Sequence, residues 1–252
     1  MENKVVLLGY YGGDERHCIS AWQSTNIELD IELAEDIKER IKQLYEATVV
    51  NKKKSALELL QFLAQHNHCT PFEKSCLDFQ ITGDIASHIH QIKHRIATSI
   101  NSESARYKEL TDKWYLPNDW KQVDVINNLE VDNKYPEAWE YIYGGNGYEY
   151  NWHELLDEYT KLGHQLYHLA CEQLTSKLGR KRAKESARYF LTYNKQLDYD
   201  CMFNFRSFVH FQQLRNSEHA QLEIQQIAQQ MLDLVKAIPG NPFKHSLEAF
   251  NL

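Results

Sequence analysis

The chain has 252 residues, a formal charge of −7 at pH 7, a hydrophobic fraction of 42% and 25% charged residues. A chain of that length buries about three quarters of its unfolded surface, enough for a sizeable core in one domain or two closely joined ones. The negative charge argues against non-specific binding to nucleic acid or an anionic membrane, and no apolar run approaches the roughly 20 residues that cross a bilayer.

The elements follow in chain order. Val5 to Leu8 is a short apolar run ending at Gly12-Gly13, a strand and a turn. Ile37, Ile41, Leu44 and Tyr45 recur at helical spacing and predict a helix over 31–46. A second helix presents Leu59, Leu60, Phe62 and Leu63 as its buried face, with Pro71 beyond its end. Leu77, Phe79 and Ile81 alternate with Cys76, Asp78 and Gln80, the pattern of a half-buried strand. Asp84 is placed to cap a helix running to about Arg95, which sets Lys93 and Arg95 near a helix C-terminus, where cations are favoured. The serine-rich segment after it has no clean period and reads as a loop. Residues 116–150, with Pro117, Pro136 and the run YIYGGNGYEY, read as an irregular insertion, helical around Glu137 to Tyr143. Helices resume at Trp152 to Lys177 and Arg182 to Leu191. Leu197, Tyr199, Cys201 and Phe203 alternate as a strand, Asn204 starts a short helix ending near Leu214, and a last long helix runs from about Glu218 to Ile238 and stops at Pro239. Helices with a few isolated strands, and no βαβ alternation, point to a helix-rich α+β fold.

Five cysteines, none in a C-x-x-C pair, and an N-terminus without a signal-peptide pattern predict a reduced, cytoplasmic protein with packed thiols. His66-Asn67-His68 and His88-Ile89-His90 have the H-x-H spacing of a metal pair on a strand. The second pair falls in a predicted helix, where such residues diverge, and neither has further ligands at suitable spacing; no metal site is expected. Ser104 lacks a G-x-S-x-G elbow and an assignable base, which disfavours a serine hydrolase.

The run KHRIATSINSESARYKEL gathers Lys93, His94, Arg95 and Arg106 around Thr98, Ser99, Asn101, Ser102 and Ser104. Cations supply charge-assisted hydrogen bonds and neutral groups fix orientation, so this composition suits a small phosphate-bearing ligand. Arg180, Lys181, Arg182 and Lys184 read as a solvated basic face, whereas Arg188 has the apolar neighbours Ala187, Tyr189, Phe190 and Leu191 and calls for an anionic partner. Arg215 follows an amphipathic stretch and is open to two readings, ligand contact or internal ion pair.

Four blocks, in this order, resemble flavin-dependent thymidylate synthase. They are His66-Asn67-His68-Cys69-Thr70-Pro71-Phe72-Glu73; Lys93-His94-Arg95 with Ser104-Ala105-Arg106-Tyr107; Ser186-Ala187-Arg188; and Leu214-Arg215-Asn216-Ser217-Glu218-His219 with its continuation to Ile224. The resemblance implies a single α+β domain over residues 1–252, with a small antiparallel sheet, assembled as a homotetramer with FAD at subunit interfaces. It implies reductive methylation of dUMP to dTMP, with methylenetetrahydrofolate as carbon donor and NADPH as the reductant of the flavin. Carried over by position, His68, Thr70, His94, Arg95, Asn101, Ser102, Asn204 and His210 fall on flavin contacts. Ser104, Arg106, Arg188 and Arg215 fall on dUMP contacts, and Lys93 lies between the two ligands. Arg215 and Arg188 would polarise the pyrimidine carbonyls, and Arg106 with Ser104 would clamp the phosphate, Ser104 in a positioning role. His90 or Gln91 would take the place of a glutamine that contacts the nucleotide. Lys93 replaces an arginine, and the spacer from Arg95 to Ser104 is one residue longer than usual. The alternatives are a nucleotide- or flavin-binding module of the same fold without turnover, and a helical scaffold with solvated basic faces.

Overall fold

Alternating apolar residues build the centre of the molecule. In the computed structural model, which describes residues 1–23, 32–49, 55–125, 134–143 and 150–252, the strands are β1 (Lys4–Tyr11), β2 (Cys76–Asp84), β3 (Thr98–Ser102) and β4 (Gln196–Asn204). They form one sheet in the order β1-β2-β4-β3. β1 runs antiparallel to β2, from Lys4 opposite Thr82 to Tyr11 opposite Cys76, with an irregularity between Leu7 and Gly9. β3 runs antiparallel to β4, from Thr98 opposite Phe203 to Ser102 opposite Tyr199. Leu77, Phe79 and Ile81 on β2 and Tyr199, Cys201 and Phe203 on β4 are buried, as the period of two requires.

The described residues divide into two compact units. The sheet unit comprises Asn3–Gly83, Ser87–Ser102 and Leu197–Leu252; the helical unit comprises Met1–Glu2, Asp84–Ala86 and Glu103–Gln196. The helices are α1 (Asp14–Trp22), α2 (Ile37–Val49), α3 (Ala56–Gln65), α4 (Ile85–Gln91), α5 (Pro136–Tyr143), α6 (Trp152–Leu178), α7 (Arg180–Ala187), α8 (Phe205–Arg215), α9 (Leu222–Lys236) and α10 (Lys244–Ala249). In the sheet unit, Phe205, Phe208 and Phe211 of α8 and Ile224, Ile227, Met231 and Val235 of α9 join the sheet's apolar residues in one core. Each such side chain contributes about 1.5–3 kcal/mol by leaving water. In the helical unit, Tyr167 and Cys171 of α6 and Ala183 and Ala187 of α7 are buried. The chain turns from α6 into α7 at Gly179, whose φ of +77° suits glycine. No helix among the described residues is long and apolar enough to cross a membrane.

Most expected elements are present, and the exceptions have local causes. The helix expected over 31–46 begins at Ile37, because the Asp36 carboxylate accepts the Glu39 N–H at 3.0 Å and ends the extended approach there. Residues 32–36 are not helical, and residue 31 lies outside the described residues. Phe62, assigned to the buried face of α3, is exposed and lies against His66 instead, ring centroids 4.2 Å apart and tilted by 34°. The helix expected to reach Arg95 stops at Gln91. The serine-rich loop is in part a strand, β3, held by β4 rather than by any apolar alternation of its own. The helix expected from Glu218 begins at Leu222.

Two helices went unanticipated. α1 is short and mixes charged residues with its buried Cys18 and Trp22. α10 has its first amides satisfied by a residue far away in sequence: His245 N–H and Ser246 N–H donate to the two Asp14 carboxylate oxygens at 2.8 Å each. In the insertion, α5 matches the helix expected around Glu137 to Tyr143, whereas residues 144–149 of YIYGGNGYEY lie outside the described residues. The helix expected to run to Leu191 ends at Ala187 and tightens into a 3₁₀ turn over Arg188–Phe190.

Candidate functional site

In the sheet unit, the loop after α4 and one side of α8, from its cap Asn204 to Arg215, line a cavity of about 640 Å³. The local sequence dictates this arrangement. Asn204 ends β4 and caps α8, its side chain accepting the Ser207 N–H at 2.8 Å. The same turn fastens the loop: Asn204 N–H donates to the Ala97 carbonyl at 3.1 Å, and the Ser207 hydroxyl donates to the Ile96 carbonyl at 2.7 Å. Ala97 adopts φ +49°, a left-handed conformation that costs a non-glycine residue about 1–2 kcal/mol and that these bonds hold in place.

Lys93, Arg95, Arg206 and Arg215 line the cavity, and Glu73 is the one carboxylate lining it among the described residues. Four cations against one acid, in a chain of charge −7, make a local anion trap beside a helix N-terminus. Glu73 pairs with Arg206 at the surface. A second cavity of about 600 Å³ shares Glu73, Ala97, Thr98 and Asn204 with the first and extends the groove past Tyr11, Arg16 and Met202.

Arg215 sits at the end of α8, half-buried, and its Nε–H donates to His94 Nε2 at 3.0 Å. His94 is held down to a pKa of about 4, chiefly by burial and then by the charge of Arg215 and by His210 and His90. It is therefore neutral near pH 7 and free to accept, with its ring edge-on to buried Phe211 at 5.1 Å. With one donor committed to His94, the terminal nitrogens of Arg215 carry the donors left for a ligand oxygen.

The other sequence-selected residues fall as follows. Asn204 and His210 line the same cavity as Lys93, His94, Arg95 and Arg215. His68, Thr70 and Asn101 are exposed elsewhere on the sheet unit, outside the lining of either cavity. The Ser102 hydroxyl is bonded to His88 Nε2 at 2.7 Å. Gln91 is fully buried and accepts the Tyr199 hydroxyl at 2.9 Å, whereas His90 is half-buried and reaches the Gln221 side-chain oxygen at 3.2 Å. Of that pair, His90 is the side chain open to a ligand.

Ser104, Arg106 and Arg188 belong to the helical unit. Ser104 Oγ accepts the Arg106 N–H at 3.3 Å, with no imidazole or carboxylate among its described partners. Arg106 Nε–H donates to Glu185 at 2.7 Å, on the surface. Arg188 is exposed, and so are Tyr189 and Phe190, so its apolar sequence neighbours do not enclose it. The two H-x-H pairs do not act as units: His88 and His90 have separate partners, and His66 Nδ1 is occupied by the Phe62 carbonyl at 2.8 Å. Sequence reasoning left out Arg206 and Glu73 as lining residues; the position of Arg206 two residues past the Asn204 cap was the available signal.

The chain is similar to proteins named flavin-dependent thymidylate synthase. That of Gluconobacter oxydans is 30% identical over 179 residues, covering 71% of this chain and 55% of the relative. That of Rickettsia bellii is 33% identical over 185 residues, covering 71% of this chain and 60% of the relative. The chain thus spans little more than half the length of these relatives. In fold it is similar to the UMP/dUMP methylase PolB of Streptomyces cacaoi, solved with 5-Br UMP, at 20% identity and a TM-score of 0.67 over 99% of this chain and 94% of that one. The model of the Thy1 family, thymidylate synthase complementing protein, matches residues 6–239, and the chain belongs to that family.

Proposed function

We propose that this chain methylates dUMP to dTMP with FAD as its flavin, methylenetetrahydrofolate as carbon donor and NADPH as reductant. Residues 1–252 act as one functional domain, in a cytoplasmic homotetramer. The observation that carries the reading is the cavity along α8, where four cations outnumber one carboxylate in an acidic chain. The names of the relatives support it, as does the position of the four sequence blocks.

FAD fits the residues present. Its pyrophosphate is an anion, and Lys93, Arg95 and Arg206 offer cations at a helix N-terminus. Its length suits a groove of two cavities with a shared wall. His94, Asn204 and His210 would contact it, with His68, Thr70, Asn101 and Ser102 as the outlying contacts that the resemblance assigns. Bound flavin would supply hydride transfer.

The chain's own residues bind, orient and stabilise charge. Arg215 is assigned to the pyrimidine, where its free guanidinium donors would meet a carbonyl oxygen that gains negative charge in the reaction. His94 fixes the direction of that guanidinium by accepting its Nε–H. Arg106, Arg188 and Ser104 are assigned to the nucleotide, with Lys93 and His90 beside it. Ser104 positions rather than attacks, because no base contacts its hydroxyl among the described residues. A dUMP phosphate would compete with Glu185 for Arg106, and an exposed ion pair of that kind is worth only about 0–1 kcal/mol, so the exchange is easy.

A second reading is a binding module without turnover, favoured by Lys93 in place of an arginine and by the longer spacer before Ser104. Tritium release from dUMP labelled at C5, with FAD, NADPH and methylenetetrahydrofolate present, separates the two. Release above background supports the enzyme. Binding of dUMP without release supports the module, and failure to bind either FAD or dUMP ends both readings.

A further inference from the structure

The helical unit holds a group of side chains that the nucleotide chemistry leaves unused. His164 and His168 lie four residues apart on α6 and so share one helix face. His164 Nδ1 and His168 Nε2 each lie 2.8 Å from the same Asp112 oxygen, Oδ1. One ligand atom from each of the three residues falls within 4.8 Å of the others. Behind the second imidazole, Glu109 Oε2 lies 3.5 Å from His168 Nδ1.

The surroundings pre-organise this group. Asp112 is flanked by two anchors to α6: Leu110 N–H donates to the Tyr167 hydroxyl at 2.9 Å, and Trp114 Nε1–H donates to Asp157 at 2.7 Å. His164 is 3% exposed at its side chain, so its ring is held in place by the packing around it. Asp112 and His168 are 55% and 40% exposed, so an ion seated among the three would keep open positions for water. Asp112 and Glu109 place two carboxylates beside the two imidazoles. Lys195, the cation that acts on His164, is bonded to the Lys113 and Gln196 carbonyls.

We infer that Asp112, His164 and His168 bind one divalent transition-metal ion of the zinc class, with Glu109 orienting His168. The ion fastens the segment around Asp112 to α6. Two imidazoles and one carboxylate select zinc, cobalt, nickel or copper over magnesium or calcium, which prefer oxygen. Coordination at about 2.0–2.2 Å requires the ligand atoms to spread from their present hydrogen-bond separation by a few tenths of an ångström. A carboxylate behind a ligating histidine is the usual outer support of such a site, and its loss typically costs about 10–100-fold in affinity.

The test uses the full, untagged chain, stripped with chelator and titrated with Co²⁺. The inference expects a visible d–d spectrum saturating at one ion per chain, without a sulfur charge-transfer band, and displaced by Zn²⁺ but not Mg²⁺. Asp112→Asn and His168→Gln abolish the spectrum, Glu109→Gln weakens binding about 10–100-fold, and a His66→Gln/His68→Gln control binds normally. A wild-type chain that gives no spectrum, or a spectrum that survives both Asp112→Asn and His168→Gln, overturns the site. A melting temperature that falls in His168→Gln but never responds to Zn²⁺ in the wild type also overturns it, and makes the cluster a hydrogen-bonded clamp.

Discussion

The two basic regions of the molecule use the same residue types to opposite effect. In the sheet unit, Lys93, Arg95, Arg206 and Arg215 share a cavity with one carboxylate, and Arg215 leans on a neutral imidazole. In the helical unit, Arg106 and Arg182 both reach Glu185, at 2.7 and 3.8 Å, and buried Lys184 donates to the Tyr107 carbonyl at 2.9 Å. Clustered cations therefore say little by themselves. What distinguishes a binding site is the shortage of internal acceptors, because a cation without an internal partner gives up less to meet a ligand.

The largest effect that sharpens this contrast is expected at Arg215. Arg215→Ala should lower the rate of tritium release from labelled dUMP by about 100–1000-fold, as loss of a single charge-stabilising donor does elsewhere. FAD binding should persist, and a loss below about tenfold would put Arg215 among the ordinary ion-pair residues.

Next comes the Gln91 and His90 pair. Gln91→Leu leaves the Tyr199 hydroxyl without its buried acceptor and should cost about 1–3 kcal/mol in denaturant unfolding. His90→Ala should leave stability nearly unchanged and weaken dUMP binding. The reverse pattern would reassign the nucleotide contact to Gln91.

The pH dependence of stability probes His94. Its folded-state pKa of about 4 lies below the ordinary value of 6.5, so between those values the unfolded chain binds a proton that the folded chain does not. Its contribution to stability is full above pH 6.5 and is lost as pH falls toward 4. His17, buried and lowered to about 3, acts in the same sense over a wider range. Unfolding at a series of pH values should show a shallower slope between pH 4 and 6.5 in His94→Asn than in the wild type; equal slopes would show that His94 titrates normally.

The smallest effect is expected at the satisfied pair. Glu185→Gln frees Arg106 and should tighten dUMP binding by up to about fivefold, the ceiling for an exposed ion pair. No change in calorimetric titration would remove Arg106 from the nucleotide site.

Much of this was legible in the chain. The alternation of Leu77, Phe79 and Ile81, and of Tyr199, Cys201 and Phe203, gave two central strands, because buried faces leave a period. Asn204 as a helix start was equally clear, because capping is local chemistry. β3 was hidden, since a polar edge strand takes its conformation from its partner's hydrogen bonds. α10 was hidden because its first amides are satisfied by Asp14, 231 residues from His245. At the site, the loop cations and Arg215 were visible as types in blocks. The bond from Arg215 to His94 spans 121 residues and needed the fold to appear, as did the inward turn of Gln91.

The most direct test of the central claim is a titration of the apoprotein with FAD, followed by flavin fluorescence, in the wild type and in Lys93→Ala/Arg95→Ala. The cavity reading predicts saturable binding in the wild type and at least about a tenfold loss in the variant, the equivalent of two weakened charge-assisted contacts. Equal affinity in the two chains, or no binding in the wild type, would contradict it.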